Sequence, residues 1–489
     1  MTTPAESSIP PPKSGSALQK LAKLSLAYAT GDVLAQGINF LLVPLYMAFL
    51  EPEDYGSLAL LFLLSVMLKT VFRLGLDQGF FRIYYDVKEE DRSRFAGTVA
   101  IFSAVLASSV FVLVCAFARP ISVALFQHPD AVLWVRLVAV DLLASSFVFV
   151  PLALFRIEGK ASLLSTFSIL RNLANTVVKV ILVLMGYSVT GVLISDAFAS
   201  ILLATLLMFE LRPRIKLAFD WPPLREALRF GLPKVPHGIL VQMLNLADRR
   251  ILDNYVSLGE VGIYSVGNNF GGAMKFPLSA FEPAWQPFVF QNAKKEGGAL
   301  EIAQIATRMA ILFTVTALAL ALILPDVLIF LSRNPKYHGA APVVPVVILA
   351  FLLQGYFLLS SIGITIAKEA RYYPLITACA ATINITLNVA LIPYYGIMGS
   401  AWATVAGYLV MVVLGSRASN RLYPIPLSWS RILLTLGAAI AVFVAASFLG
   451  AGWVAVSLRF ALFPAFAFAA WRFIYTGRDR DEFKKVFGF

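Results

Sequence analysis

The sequence predicts an all-α polytopic membrane protein of about fourteen transmembrane helices, arranged as two six-helix lobes followed by two C-terminal helices. Three observations predict this class: the composition, the spacing of long apolar segments, and an internal repeat. Hydrophobic residues make up 59% of the 489 residues and charged residues only 14%, whereas a soluble chain is about half apolar and about a quarter charged. Because so few charged side chains cannot cover a water-exposed surface, we expect lipid to surround the chain.

Apolar segments long enough to span a bilayer recur along the whole chain. A transmembrane helix needs about 20 consecutive, mostly apolar residues. Fourteen segments meet this requirement, and they are 24–48, 56–81, 95–117, 131–155, 161–185, 189–210, 227–252, 260–290, 302–324, 341–366, 372–393, 397–416, 431–449 and 453–475. Residues 1–16 are rich in Pro and Ser, and we expect them to form a disordered cytoplasmic tail.

The charged connections predict how the chain lies in the membrane. The net charge of +12 comes from Lys and Arg residues concentrated in every second connection, for example Arg156 with Lys160 and Lys368 with Arg371. Such connections are cytoplasmic by the positive-inside rule. Both termini are then cytoplasmic, which requires an even number of spans and agrees with fourteen. This distribution predicts a cytoplasmic (inner) membrane protein and argues against nucleic acid as a partner.

An internal repeat links the two halves of the chain. Gly56 and Gly262 are 206 residues apart, as are Lys69 and Lys275. At an offset of 208 residues the matched pairs are Lys160 with Lys368, Tyr187 with Tyr395, and Gly191 with Gly399. Each unit holds six spans, so both copies insert the same way up and are related by an axis along the membrane normal. This layout is typical of transporters with a central cavity between two lobes.

The repeat also predicts the domain boundaries. We expect an N-lobe of six helices at 17–215 and a C-lobe of six helices at 216–425. The last two helices and a cytoplasmic tail follow at 426–489 and fall outside the repeat.

Several ionisable residues lie inside predicted spans, where an uncompensated charge costs at least about 2.5 kcal/mol. By default such residues face a polar cavity or a partner. The basic candidates for a cationic, substrate-binding cavity are Lys69, Arg73, Lys179, Lys234, Arg249, Arg250 and Lys275. The acidic candidates, which we consider for ion coupling, are Asp32, Asp77 and Asp248. Because Lys69 and Lys275 are equivalent in the repeat, we expect them to face each other across the cavity.

Each candidate also has a structural alternative. Arg73 and Asp77 are four residues apart and can neutralise each other on one helix face. Asp248 can form an interfacial pair with Arg249 and Arg250, with the long side chains reaching outward, and Lys179 can reach outward in the same way. Asp32 can bind a proton or Na⁺, or it can pair with Lys69 or Arg73. These alternatives stay open at this point.

A cationic cavity suggests an anionic ligand, and a diphosphate fits its chemistry. Lys and Arg bind phosphate oxygens through charge-assisted hydrogen bonds. The same helices carry aromatic and amide side chains suited to sugars, including Tyr28, Gln242, Asn269 and Trp285. The sequence predicts neither a cofactor nor a metal site, because the three histidines lie far apart and the Gly-rich run 262–272 lacks the Gly-Lys-Ser/Thr ending of a P-loop.

Four stretches resemble the Wzx-type O-antigen and exopolysaccharide flippases of the multidrug/oligosaccharidyl-lipid/polysaccharide exporter (MOP) superfamily. They are Glu53-Asp54-Tyr55-Gly56, the run from Leu74 to Arg82, Asp248-Arg249-Arg250-Ile251-Leu252 followed by Val261 to Ser265, and the run from Leu391 to Ala401. The resemblance covers roughly residues 20–425. The Asp248-Arg249-Arg250 run is similar to the pattern that this family carries late in its seventh helix.

The resemblance implies a function as well as a fold. It implies a two-lobed protein that moves a polyprenyl-diphosphate-linked oligosaccharide from the inner to the outer leaflet by alternating access, for cell-surface polysaccharide biosynthesis. The implied partners are that lipid-linked oligosaccharide, membrane lipid and the polysaccharide polymerase or export machinery. The pairing of Lys69 with Lys275 in the cavity comes from the repeat and not from a family motif.

Three other functions compete with this interpretation. A multidrug exporter of the same superfamily would use Asp32 as its cation-coupling acid, but a cationic cavity repels cationic drugs. A lipid II flippase fits the span count, but the first helix lacks the Arg-rich pattern of that family. A glycan polymerase or ligase would carry a large external loop with catalytic charges, and no connection here exceeds about twenty residues. We therefore expect a transporter and not an enzyme.

Overall fold

The computed structural model describes residues 37, 40–126, 131–211, 216, 218–293, 295–450 and 452–475, and every regular element in this part is helical. The helices of the first half are α1 Phe40–Phe49, α2 Pro52–Phe72, α3 Leu76–Asp86, α4 Arg92–Ala116, α5 Ala118–Phe126, α6 Val132–Ile157, α7 Ala161–Leu184 and α8 Ser188–Leu211. Those of the second half are α9 Trp221–Gly231, α10 Val235–Leu252, α11 Leu258–Gly271, α12 Lys275–Asn292, α13 Gly298–Leu331, α14 Val343–Ser360, α15 Ile362–Ile366 and α16 Tyr372–Leu422. Helices α17 Trp429–Ser447 and α18 Trp453–Ala469 end the described chain.

The all-α membrane class predicted from the sequence is confirmed. Within the described residues, 10 helices are long and apolar enough to cross a membrane. One of them, α16, is 51 residues long and breaks at Gly396, whose φ of 52° and ψ of −134° are not helical, so it contains two helical segments. The first predicted span, 24–48, lies mostly outside the described residues, and the count of fourteen stays a prediction.

Large apolar side chains cover the outer surface of the helices. On α17, α18 and their connection, Leu434 is 65% exposed, Phe448 83% and Phe468 68%. Contiguous apolar surface of this kind is rare on soluble proteins. Lipid can surround this apolar surface. The helical backbone needs no water there, because its polar groups are already hydrogen-bonded within each segment.

Four predicted spans are interrupted in the structure, one of them at 341–366, which is divided into α14 and α15 at Ser361. The span at 56–81 is divided into α2 and α3 by Leu74 and Gly75, whose φ angles are 47° and 70°. The span at 227–252 is divided into α9 and α10 by a 3₁₀ turn, Leu232–Lys234, at whose centre Pro233 removes a backbone donor. The span at 260–290 is divided into α11 and α12 by a 3₁₀ turn, Gly272–Met274.

The two halves cross through a reciprocal contact of small residues. A Cβ atom on Gly56 of α2 would overlap the carbonyl group of Leu258, and a Cβ atom on Gly262 of α11 would overlap the carbonyl oxygen of Pro52. Pro52 and Leu258 are 206 residues apart, as are Gly56 and Gly262. The contact between α2 and α11 is therefore the same on both sides of the crossing, as expected for two repeats related by a twofold axis. The lobe boundaries at 17–215, 216–425 and 426–489 stay predictions.

A second contact joins the halves beyond the far end of α2. Gly75 and Gly231 approach so closely that a Cβ atom on either would overlap the backbone of the other. One turn further along α3, Gly79 lies against the carbonyl oxygen of Ala227 in α9. The break between α2 and α3 therefore coincides with the second of the two places where the halves touch.

Candidate functional site

The break between α2 and α3 separates two cavities. The first-half cavity has a volume of about 330 Å³, and its charged lining residues are Lys69, Arg73, Asp77, Arg156 and Arg171. The inter-half cavity has a volume of about 380 Å³ and lies between α2, α3 and the start of α10, where Gln242 adds an amide. Lys69, Arg73 and Asp77 line both cavities. The chain thus places two cations and one carboxylate on the wall that the cavities share.

Lys69 is held inside the first half of the molecule by Asp141. Its Nζ atom lies 2.5 Å from Oδ2 of Asp141 on α6, and the Ser200 hydroxyl of α8 donates to Oδ1 of the same carboxylate at 2.5 Å. The carboxylate is largely buried, whereas Lys69 keeps 27% of its side-chain surface exposed. The Lys69 ammonium is therefore neutralised on one side and open to the cavities on the other.

Lys275 lies against its own half of the molecule as well. Its Nζ atom is 4.1 Å from the centre of the Phe351 ring on α14, which is a cation–π contact. Lys69 and Lys275 thus each contact a helix of their own half. Their predicted joint role across a cavity stays a prediction.

Arg73 has no carboxylate partner in the described part of the chain. It caps the C-terminal end of α2, its side chain is exposed, and Asp77 lies in the first turn of α3. Neutralisation on one helix face requires a continuous helix, and the left-handed residues Leu74 and Gly75 interrupt it. Among the described residues, no carboxylate therefore occupies the guanidinium of Arg73.

Lys179 is a buried, paired cation and does not reach outward. Its Nζ atom lies 2.8 Å from Oδ1 of Asp196 on α8, and the side-chain amide of Asn175 donates to the same oxygen at 2.9 Å. Only 6% of Lys179 is exposed. This ion pair joins α7 to α8. Asp196 therefore neutralises the Lys179 ammonium that the sequence suggested for a cavity.

Asp248 and Arg249 form a buried pair inside the second half. Asp248 is 2% exposed and Arg249 is 5% exposed, and the guanidinium donates to the carboxylate at 3.0 Å. The Tyr264 hydroxyl of α11 donates to the other carboxylate oxygen at 2.5 Å. The alternative in which this pair reaches outward to the membrane interface is wrong for these two residues, because both are buried.

Arg250 is different from its neighbour and lies at the end of α10. It donates to Asp253 at 2.7 Å, to Asn254 at 3.0 Å and to the carbonyl oxygen of Ala124 at 3.0 Å. The contact with Ala124 ties α10 to α5 of the first half. Asp32 and the side chain of Lys234 lie outside the described residues.

The sequence analysis missed four charged residues: Asp141 and Asp196, which pair with Lys69 and Lys179, and Arg156 and Arg171, which line the first-half cavity. Three of them lie within predicted spans. The free-energy cost of an intramembrane charge applies to these three as well, and it was the signal that could have identified them. Arg156 follows the predicted span 131–155 directly and resembled an ordinary cytoplasmic charge. The partner of Lys69 is 72 residues away along the chain, a separation at which sequence alone does not indicate contact.

The apolar surface, the interrupted membrane helices and the charged interior define a multi-pass α-helical membrane protein. The family model described as "Polysaccharide biosynthesis protein" matches residues 47–292, about half of the chain. The chain therefore belongs to this polysaccharide biosynthesis protein family.

Solved structures show the same fold. The lipid II flippase MurJ in an inward closed conformation has a TM-score of 0.72 at 13% identity, covering 91% of this chain and 98% of that one. An inward-facing multidrug resistance transporter of the MATE family has a TM-score of 0.66 at 15% identity, covering 82% and 95%. At these identities the likeness concerns the fold alone.

A curated relative is also similar in sequence. An uncharacterized membrane protein of Methanocaldococcus jannaschii, MJ1068, is 28% identical over 173 residues, which are 34% of this chain and 31% of that protein. The match therefore spans less than a third of the relative's length.

Proposed function

We propose that this protein moves a polyprenyl-diphosphate-linked oligosaccharide from the inner to the outer leaflet of the cytoplasmic membrane, for cell-surface polysaccharide biosynthesis. One observation carries the proposal: Lys69 and Arg73 lie on the wall shared by two cavities, at a break in a membrane helix. Membership of a polysaccharide biosynthesis family supports a glycan as the cargo. The cationic wall supports a negatively charged linkage group between glycan and lipid.

The two cations suit a diphosphate in different ways. The planar guanidinium of Arg73 offers paired donors that match two phosphate oxygens, and no carboxylate competes for it among the described residues. Lys69 adds a point charge whose position is fixed by Asp141. A hydrogen bond to a charged group contributes about 1.5–3 kcal/mol. Two such residues offset part of the cost of moving a polyanion through the membrane.

Two contacts between the halves support alternating access. The crossing of Gly56 with Leu258 lies near the start of α2, and the contact of Gly75 with Gly231 lies beyond its far end, where Gly75 also lines the inter-half cavity. We propose that these contacts open in turn, so that the site at Lys69 and Arg73 faces each leaflet alternately. With cytoplasmic termini, the Gly56 end faces outward.

A lipid II flippase is the second candidate, and the structural likeness to MurJ favours it. Its cargo also carries a polyprenyl diphosphate, so the cationic wall suits both functions. A drug exporter is less compatible, because Lys69 and Arg73 repel a cationic drug. An ion-coupling role for Asp32, Asp77 or Asp248 stays a proposal, and Asp248 is already neutralised by Arg249. A polymerase or export complex stays a proposed partner.

Deletion and complementation in the source organism test the proposed function. We expect the deletion strain to lose a surface polysaccharide and to accumulate the undecaprenyl-diphosphate-linked oligosaccharide in the inner leaflet. Arg73→Glu should fail to restore export, because it replaces a phosphate-binding cation by a carboxylate. Arg82→Glu is the matched control, since Arg82 is an exposed residue of α3 that pairs with Asp86. Unchanged surface glycan, with new sensitivity to cationic dyes, would replace this proposal by the drug-exporter function.

A further inference from the structure

Two arginines of the first-half cavity have no role in the site described so far. Arg156 is one residue from the end of α6, and Arg171 lies in the middle of α7. Both side chains line the same cavity as Lys69 and Arg73. The four cations therefore come from three helices or helix ends: Lys69 and Arg73 from α2, Arg156 from the end of α6, and Arg171 from the middle of α7.

Among the residues that the structure describes, no carboxylate neutralises these arginines. In the described part of the chain neither Arg156 nor Arg171 forms an ion pair, and Arg171 makes only a long hydrogen bond of 3.4 Å to the Ser200 hydroxyl. Asp77 is the one carboxylate among the described lining residues, against four basic side chains. Unpaired guanidinium groups in a membrane helix are costly and mark a pathway for a charged substrate. The serine and asparagine side chains that complete the lining, Ser145, Ser168 and Asn172, add neutral polar groups.

We infer that Arg156 and Arg171 form a second diphosphate-binding position, which receives the diphosphate ester of the lipid-linked substrate before it reaches Lys69 and Arg73. This inference rests on the proposed function. The order follows from the route between the two cavities, because Arg156 and Arg171 line the first-half cavity but not the inter-half cavity, whereas Lys69 and Arg73 line both. A diphosphate ester fits better than a phospholipid, because Arg73, Arg156 and Arg171, which have no carboxylate partner among the described residues, match a multiply charged group and not a single phosphodiester.

Binding to the purified full-length protein in detergent tests the inference. The probe is geranylgeranyl diphosphate, with inorganic pyrophosphate and phosphatidylglycerol as separate ligands. We expect Arg156→Gln and Arg171→Gln each to weaken geranylgeranyl diphosphate binding by about tenfold, because each removes a charge-assisted contact. The affinity of the variants should also depend less on salt than that of the wild-type protein.

Matched variants separate binding from folding. Arg136→Gln is the control, because Arg136 is an exposed arginine of α6 that does not line this cavity. Arg171→Lys keeps the charge but loses the planar donor pair, so it should restore only part of the affinity. If Arg171→Gln does not fold, Arg171→Lys still tests the contact, because it keeps a long, positively charged side chain at this position.

The outcomes distinguish this inference from the proposed function. If the double variant of Arg156 and Arg171 binds geranylgeranyl diphosphate like wild type while Arg73→Gln loses binding, the second position is wrong and the proposed function remains. If the wild-type protein binds no diphosphate ester, the proposed function fails. If phosphatidylglycerol binds as tightly as the diphosphate and loses affinity in the same variants, the position is a general lipid-headgroup site and the inference is overturned.

Discussion

The carboxylate of Asp141 joins three helices through two short hydrogen bonds. Lys69 of α2 and Ser200 of α8 each donate to one of its oxygens, and Asp141 itself belongs to α6. A largely buried ion pair of this kind is costly to break, because removing one partner leaves the other charge uncompensated. At the residue scale, Asp141 is therefore both a structural link and the group that positions the Lys69 ammonium beside the cavities.

Asp141→Asn should lower the free energy of unfolding by about 2 kcal/mol, less than for a fully buried pair because Lys69 is partly exposed. The double variant Lys69→Met/Asp141→Leu should lose less than the single variant, since it leaves no unpaired charge. Thermal unfolding in detergent measures both. Asp86→Asn is the control, because Asp86 is half-exposed in its pair with Arg82 and should change stability by about 0.5 kcal/mol or less. An Asp141→Asn protein as stable as wild type would contradict the structural role.

Individual charges were predictable from the sequence, but their partners were not. Lys69, Arg73 and Asp77 were identified because each lies in an apolar segment, and they do line common cavities. The pairs of Lys69 with Asp141 and of Lys179 with Asp196 depend on which helices are neighbours. Helical periodicity indicates contacts within about one turn, whereas these contacts require the packing of the whole bundle.

At the element scale, interruptions of helices set the site. Apolar length predicted the spans, but it treated 56–81 as one helix, and the structure breaks it at Leu74 and Gly75. The signal was present in the sequence, because glycine favours the left-handed conformation that ends a helix. A non-glycine residue at positive φ, such as Leu74, stores strain that the surrounding contacts must offset, and such residues cluster at functional sites.

Gly75→Ala should destabilise the protein and impair transport more than the addition of one methyl group usually does. A side chain at a φ of 70° costs about 1 kcal/mol, and its Cβ atom would also overlap the backbone of Gly231. We expect the two helices, α3 and α9, to separate and the site at Arg73 to shift. Gly437→Ala is the matched control, because Gly437 of α17 has no neighbour within 4 Å of a new Cβ atom. Equal stability and export in the two variants would contradict a structural need for the break.

At the scale of the whole molecule, the halves are joined by the reciprocal crossing of α2 and α11 and by two polar contacts next to it. The Tyr337 hydroxyl, fully buried, donates to the carbonyl oxygen of Leu50 at 2.9 Å, and Lys336 pairs with Glu51 at 2.9 Å. The hydrogen bond from Lys336 lowers the pKa of Glu51 below its ordinary value of 4.5, so this exposed pair stays charged at neutral pH. The twofold repeat itself was visible in the sequence at an offset of 206 residues, because equivalent glycines are needed wherever two equivalent backbones cross closely.

Gly56→Ala and Gly262→Ala should have the same effect, because the crossing of α2 and α11 is reciprocal. Each new Cβ atom would overlap a carbonyl group of the other half, so the closed contact at this end becomes unfavourable. The conformational equilibrium should shift toward molecules in which this end is open. Export should fall, because the protein no longer returns readily to the conformation in which this end is closed. Spin labels on α2 and α11, with distances measured by electron–electron resonance, should report a longer separation in both variants.

Gly272→Ala provides the control for this experiment, since Gly272 follows α11 directly and a Cβ atom there meets no neighbour within 4 Å. An opening in one glycine variant but not in the other would show that the two sides of the crossing are unequal. In that case the two halves would not move symmetrically. The hinge would then lie in the half whose Gly→Ala variant causes no opening. Equal opening would instead place the pivot on the pseudo-twofold axis, where the same 206-residue offset relates both contacts.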